Sequence, residues 1–278
     1  MNQKRKARLA RLAVYAGAGW TLIVLISLVG YILVKGIPQL TPQLFAWKYT
    51  SVNVSMLPAL INTVMMTALA LLIAVPVGMG AAIYLTEYAR RGNRLVGVVR
   101  VTTETLSGIP SIIYGLFGSL FFVVALKMGL SLLSGALTLS VMVLPLVMRT
   151  TEEALIAVPD SYREGSFGLG AGRLRTTFKV VLPSAAPGIL SGVILAMGRI
   201  VGETAALIYT AGTVPEVAES LFDSSRTLSV HMYVISNEGL YIGQSYATAV
   251  VLLILVAGMN GLSALAARKM GGKTSAKA

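Results

Sequence analysis

Six stretches of this chain, at about 12–34, 58–85, 101–126, 132–150, 185–209 and 245–267, stay apolar long enough to cross a bilayer as helices. A spanning helix needs roughly 20 such residues, because a rise of about 1.5 Å per residue must cover the hydrocarbon layer. No water reaches backbone N–H and C=O groups at that depth, so a helix, which pairs them internally, is the form a long apolar run takes. The predicted fold class is therefore all-α: a polytopic membrane protein of about six transmembrane helices. Charged residues make up 12% of the 278 residues, about half of what a soluble domain carries. The third stretch is interrupted by Gly108 and Pro110. It reads either as one kinked helix or as a short helix followed by a longer one.

The formal charge of +12 has a topological cause. With the N-terminus placed in the cytoplasm, 18 of the 23 Lys and Arg residues fall on inner segments and four on outer ones, with Arg199 inside a span. Inner loops of membrane proteins are enriched in this way. Both termini are thus expected in the cytoplasm, against anionic lipid, and nucleic acid is not an expected partner. The first apolar run, Ala13 to Val34, is longer than the core of a signal peptide, which predicts a retained anchor. The chain divides into a basic N-terminus (1–11), a first helix with its outer loop (12–57), a core (58–267) and a tail (268–278).

Several chemistries are excluded. The chain has no Cys and one His, His231, so thiolate and multi-histidine metal sites are ruled out. No catalytic residue and no metal ligand is assigned. "GGKT" at 271–274 imitates the end of a nucleotide-binding loop, but the required earlier glycine is Ala267 and no strand precedes it. "GLGAG" at 168–172 likewise lacks the strand that a dinucleotide loop follows.

The inner connection at about 151–184 is longer than a simple return between spans requires. Val158-Pro159-Asp160 predicts a helix start, with Asp160 or Ser161 as N-cap. Gly165, Gly168, Gly170 and Gly172 then let the chain turn sharply. "RLRTTFKVVLP" predicts a second helical piece ending near Pro183, with Leu174 and Phe178 on one face. The result is a short helix and a glycine turn presented to the cytoplasm. It is either a knob for a partner's groove or a solvated linker.

This segment resembles the "EAA" loop of permease subunits of bacterial ABC importers. The family pattern is E-A-A, three residues, G, nine residues, then I-x-L-P. Here it reads Glu164-Gly165-Ser166, Phe167-Gly168-Leu169, Gly170, nine residues, then Val180-Val181-Leu182-Pro183. The departures are Gly165 and Ser166 for two alanines and Val180 for isoleucine. "TLSGIPSIIYGLFG" (105–118), "VPDSYREGSFGLGAGRLRTTFKVVLPSAAPGI" (158–189) and "GRIVGETAAL" (198–207) further resemble the PstA-type permease subunit of phosphate ABC importers. The resemblance implies a coupling helix, carried by Arg163 to Gly170 with Leu182 and Pro183, that sits in a cleft of an ATPase subunit. It implies a homologous permease partner, two ATPase subunits that use ATP and Mg, and a periplasmic phosphate-binding protein. It also implies location in the bacterial inner membrane and alternating access, with no cofactor bound by this chain. Import of another oxyanion, such as sulfate or molybdate, and a sensor or scaffold that moves nothing are the alternatives.

Charges inside the spans mark candidate pathway residues, since a charge at membrane depth is costly unless paired or wetted. Arg199 and Glu203 are four apart and so predicted on one helical face. They form either a self-neutralising structural pair or a weak anion station, the planar Arg fork being suited to phosphate oxygens. Glu104 either pairs with Arg100 or faces the path with Thr103 and Ser107, whose hydroxyls can donate to an oxyanion. "GIPS" at 108–111 either is a packing kink or exposes helix ends that hold ions.

Overall fold

The computed structural model describes residues 3–90 and 92–275, and among these no strand occurs. Helix α1 (Gln3–Gly36) is followed by two short 3-10 turns, then α2 (Leu57–Ile83) with a π-helical turn at Tyr84–Tyr88. Next come α3 (Arg94–Ser107), α4 (Ser111–Gly118) with a π-helical extension (Ser119–Ala125), and α5 (Leu132–Ile156). The connection holds α6 (Asp160–Gly168) and α7 (Arg173–Thr176), which passes through a π turn (Thr177–Val181) into α8 (Leu182–Val201). The rest is α9 (Ala205–Thr210), α10 (Leu228–Asn237) and α11 (Ile242–Ser275).

Five helices are long and apolar enough to span, and a sixth span exists if the bent pair α3–α4 is taken as one. That pair turns by 102° at Gly108-Ile109-Pro110. The sequence left open a kink or a break, and the structure has a break. Pro110 lacks an N–H and starts α4 at its N-cap, while Gly108 N–H returns to Thr105 O at 3.1 Å.

The fifth stretch also differs from the expected single helix over 185–209. It begins earlier, at Arg173, and ends at Val201, with Gly202-Glu203-Thr204 separating α8 from α9. Pro183 does not end the preceding helical piece. It lies in the first turn of α8, where a missing N–H costs little, and the π turn before it widens the backbone around the ring. The basic segment 3–11 is continuous with the first span, and α11 runs to Ser275, so neither the expected N-terminal region nor the tail stands apart.

The core is built on α2 and α5, with α8 against α5 and α11 against α8. Met66, Ala70 and Ala74 of α2 meet Leu139, Met142, Val143 and Val147 of α5 and Ala196 and Ile200 of α8. Small residues set the spacing. A Cβ on Gly78 would stand 2.9 Å from the Val147 side chain, and one on Gly192 2.0 Å from Thr150. At the end that bears the connection 157–172, Ile83, Leu155, Val158, Val181, Ala185 and Ile189 form a second cluster. At the opposite end, Leu44, Met56, Ala59, Leu228 and Ala247 close the fold beneath the long loops. Helix α1 stands apart from this core and packs along α11, where Tyr31 meets Tyr246 edge to face at 5.8 Å.

Candidate translocation path and coupling surface

Two broken spans meet beside Arg199. The Tyr114 hydroxyl on α4 donates to Leu106 O of α3 at 2.7 Å, bracing the 102° bend. Gly115 sits against the α9 backbone, where an added Cβ would lie 2.7 Å from Ala206 Cα. Arg199, in the last turn of α8 and half-buried, is close enough to Tyr114 to act on it electrostatically.

Arg199 and Glu203 do not form the expected pair. The helix ends between them, which removes Glu203 from the α8 face. Its carboxylate instead accepts the Ala206 N–H at 3.1 Å and caps α9. Free N–H groups at a helix start, with the dipole behind them, are a ready partner for a buried carboxylate. Arg199 is left with no ion pair and no side-chain hydrogen bond among the described residues. A half-buried guanidinium without a counter-charge stands where the two breaks converge.

The α3 residues form a separate place. Thr103 donates to Val99 O at 2.8 Å and Ser107 to Glu104 O at 2.7 Å, so both hydroxyls are spent inside their own helix. Arg100 pairs with Glu152 of α5, so the expected alternative of an Arg100–Glu104 pair is not realised. Glu104 is exposed and lines a cavity of about 300 Å³ with Arg100, Thr103, Arg149, Glu152 and Glu153. The five pathway candidates thus fall into two groups.

The candidate coupling loop folds as a helix, a turn and a helix. Pro159 precedes α6 and no side chain caps it; Asp160 is its first residue and is drawn to Arg163 at 3.2 Å. The expected N-cap role of Asp160 or Ser161 is therefore not taken. Gly170, at φ +81°, makes the turn that lets Ala171 N–H reach Ser166 O at 3.1 Å. The Ser166 and Thr176 hydroxyls bond at 2.9 Å across the turn. Glu164, Gly165, Phe167, Gly168 and Leu169 are exposed, and so are Leu174 and Phe178. Leu182 packs into the adjacent cluster.

Arg163 does not belong to the exposed set. It turns inward and bonds Glu87 Oε1 at 2.7 Å, Leu155 O at 2.9 Å and Val158 O at 2.8 Å. The Glu87 carboxylate raises its pKa above the ordinary arginine value, so the guanidinium stays charged. One side chain thereby ties α6 to the ends of α2 and α5. Sequence reasoning missed Glu87. Its signal is an acidic residue at the end of the second span, in "YLTEYARR", where the neighbouring charges are all basic. Tyr114 carried no signal beyond its place after the break.

Residues 74–272 match the family described as "Binding-protein-dependent transport system inner membrane component". The chain is 34% identical to the "Probable ABC transporter permease protein YqgI" of Bacillus subtilis (strain 168), over 86% of each chain. It is 34% identical to the "Phosphate transport system permease protein PstA" of Mycobacterium leprae (strain TN), covering 77% of this chain and 72% of that one. A bacterial alginate ABC transporter, solved with its pentasaccharide-bound periplasmic protein, shares the fold at a TM-score of 0.66 and 14% identity, over 97% and 96% of the two chains. An inward-facing MetNI methionine ABC transporter does so at 0.59 and 21%, over 86% and 96%.

Proposed function

This chain belongs to the family of binding-protein-dependent transport system inner membrane components, and on that premise we propose that it conducts inorganic phosphate in an ATP-driven importer. Relatives named as phosphate transport permeases support this reading of the cargo. The observation that carries it is Arg199, a half-buried cation with no carboxylate of its own, at the meeting of two broken spans. A planar guanidinium takes two phosphate oxygens side by side. Half-burial keeps the pull short of a trap, and a conducting site must release what it binds.

The residues 58–267 serve as the transport core, with both termini in the cytoplasm of a bacterial cell. A homologous permease completes the path, and a periplasmic binding protein delivers phosphate. Two ATPase subunits supply ATP and Mg chemistry and grip the exposed α6 face through Phe167 and Leu169. Their closure on ATP moves α6, and Arg163 passes the motion to α2 and α5. This is alternating access between two states, biased by a differential affinity for nucleotide.

Arg199→Glu tests the reading in proteoliposomes. The complex should assemble with normal ATPase activity while phosphate uptake falls to background. Normal uptake would remove Arg199 from the path. Competition by sulfate or molybdate distinguishes another oxyanion cargo, and absence of any ATP-driven flux would point to a scaffold.

A further inference from the structure

At the end of the molecule opposite the coupling loop, a second cation is buried without a counter-charge. Arg226 precedes α10 and is 4% exposed. Its guanidinium stacks over the Tyr49 ring at 4.6 Å, yet Nε and Nη2 have neither a partner nor solvent contact. His231, on the first turns of α10, is fully buried and meets the same Tyr49 ring edge to face at 6.1 Å. Both of its ring nitrogens also lack partners.

The backbone around this cluster is fixed. Arg226 N–H donates to Val214 O at 3.0 Å, its carbonyl accepts from Asn62 Nδ2 at 3.3 Å, and Leu228 N–H donates to Thr63 Oγ1 at 2.8 Å. The backbone that carries the side chain is therefore held by the loop at Val214 and by α2. The nearby acids do not neutralise the guanidinium. Asp223 is occupied by the N–H groups of Glu219 and Ser220, at 2.9 and 2.7 Å. Glu216 and Glu219 line a cavity with Trp47, Lys48 and Tyr49, and neither makes an ion pair among the described residues. Burial and the Arg226 charge lower the His231 pKa to about 3, so the ring is neutral and has one N–H to give.

A buried guanidinium left without oxygen partners is strongly unfavourable. The edge left unpaired here, Nε with Nη2, is the side-on fork that takes two oxygens of one group; it is closed to solvent in this structure, so an oxyanion reaches it only once the side chains over it move aside. We propose that Arg226, stacked on Tyr49 and flanked by His231, is a binding site for a tetrahedral oxyanion on the face opposite the coupling loop. It is a station distinct from Arg199, and it rests on the reading of the cargo as an oxyanion. The two stations share an element. Ser229, between Arg226 and His231 in sequence, donates to Glu203 O at 2.6 Å, so the start of α10 bears on the break beside Arg199.

The test uses the complete nucleotide-free transporter in nanodiscs, without its binding protein, and labelled inorganic phosphate. Arg226→Gln should weaken phosphate binding roughly tenfold to a hundredfold, the loss of a charge-assisted bond or two. Arg226→Lys keeps the charge and the assembly but not the fork, and should recover the affinity only in part. It decides the matter if the Gln variant fails to assemble. A structure with tungstate should place the heavy oxyanion on the Nε/Nη2 edge. Unchanged binding in the Lys variant overturns the site, as does finding only water, or the Glu216 or Glu219 carboxylate, on that edge. Phosphate bound at Arg226 in a complex that transports none would sink the functional reading and leave the site standing.

Discussion

A histidine sealed from water makes the start of α10 acid-sensitive at the scale of a single residue. The His231 pKa falls from the ordinary 6.5 to about 3 in the fold, through burial first and the Arg226 charge second. The unfolded chain thus binds a proton between those values that the folded chain refuses. Its stabilising contribution is complete above pH 6.5 and is lost as the pH falls toward 3. Each unit below 6.5 costs about 1.4 kcal/mol. Thermal melts of the complex should show Tm dropping from pH 7.5 to 5, and His231→Gln should flatten that dependence. Glycines separate equally sharply. A Cβ at Gly115 would press on the Ala206 backbone, which cannot step aside, so Gly115→Ala should destabilise by about 1–3 kcal/mol in denaturant or thermal unfolding. At Gly165 no atom lies within 4 Å, and alanine there should be neutral or add up to about 1 kcal/mol to α6. Gly170→Ala, at φ +81°, should cost about 1 kcal/mol or more. Arg199 was legible as an intramembrane charge, but its separation from Glu203 was not. Gly202 and Thr204 are compatible with a helix, and only the tertiary packing of α9 on α4 shows that the helix stops there.

Elements were the most legible scale. Long apolar runs declare themselves, and four of the six stretches appear as single helices that extend beyond their expected limits. What escaped were places where backbone geometry departs from regular helix. The π turn at Thr177–Val181 carries the chain past Pro183, against the local rule that proline ends a helix. The helix and glycine turn of the connection at 157–172 were legible in its glycine spacing, but not the inward turn of Arg163, because its partner Glu87 lies 76 residues away. That ion pair is largely buried, with Arg163 15% and Glu87 8% exposed. Removing one member strands the other, which costs about 3 kcal/mol. Glu87→Ala should therefore free α6 from α2. In proteoliposomes it should leave ATP hydrolysis running while phosphate uptake falls, and Arg163→Lys should share the defect, since a single ammonium cannot reach Glu87, Leu155 O and Val158 O together. Tight coupling in both variants would deny the pair its transmitting role.

On the whole molecule, much of the apolar surface has no partner within the chain. The apolar stretch of α1 has no buried residue within the chain, and Trp20, Leu22 and Ile23 all lie open. A membrane helix that makes so few contacts in its own subunit is available to another, where close packing and small residues hold helices together in lipid. Gly19 and Gly30, about three turns apart, share one face of that helix and have nothing within 4 Å of an added Cβ. The chain expressed alone is expected to be recovered poorly. Co-expression with a homologous permease and the ATPase should restore it, and mass analysis of the intact assembly should count two permease chains and two ATPases. Finally, the helix from Arg173 to Val201 runs for 29 residues without a loop, about 40 Å at the rise of an α-helix. One tip lies beside the glycine turn at Gly170; the other carries Arg199. A tilt of a few degrees carried along that length becomes ångströms of travel at the far tip, and the π turn at Thr177–Val181, Pro183 and Pro187 are the joints that set how much of it arrives.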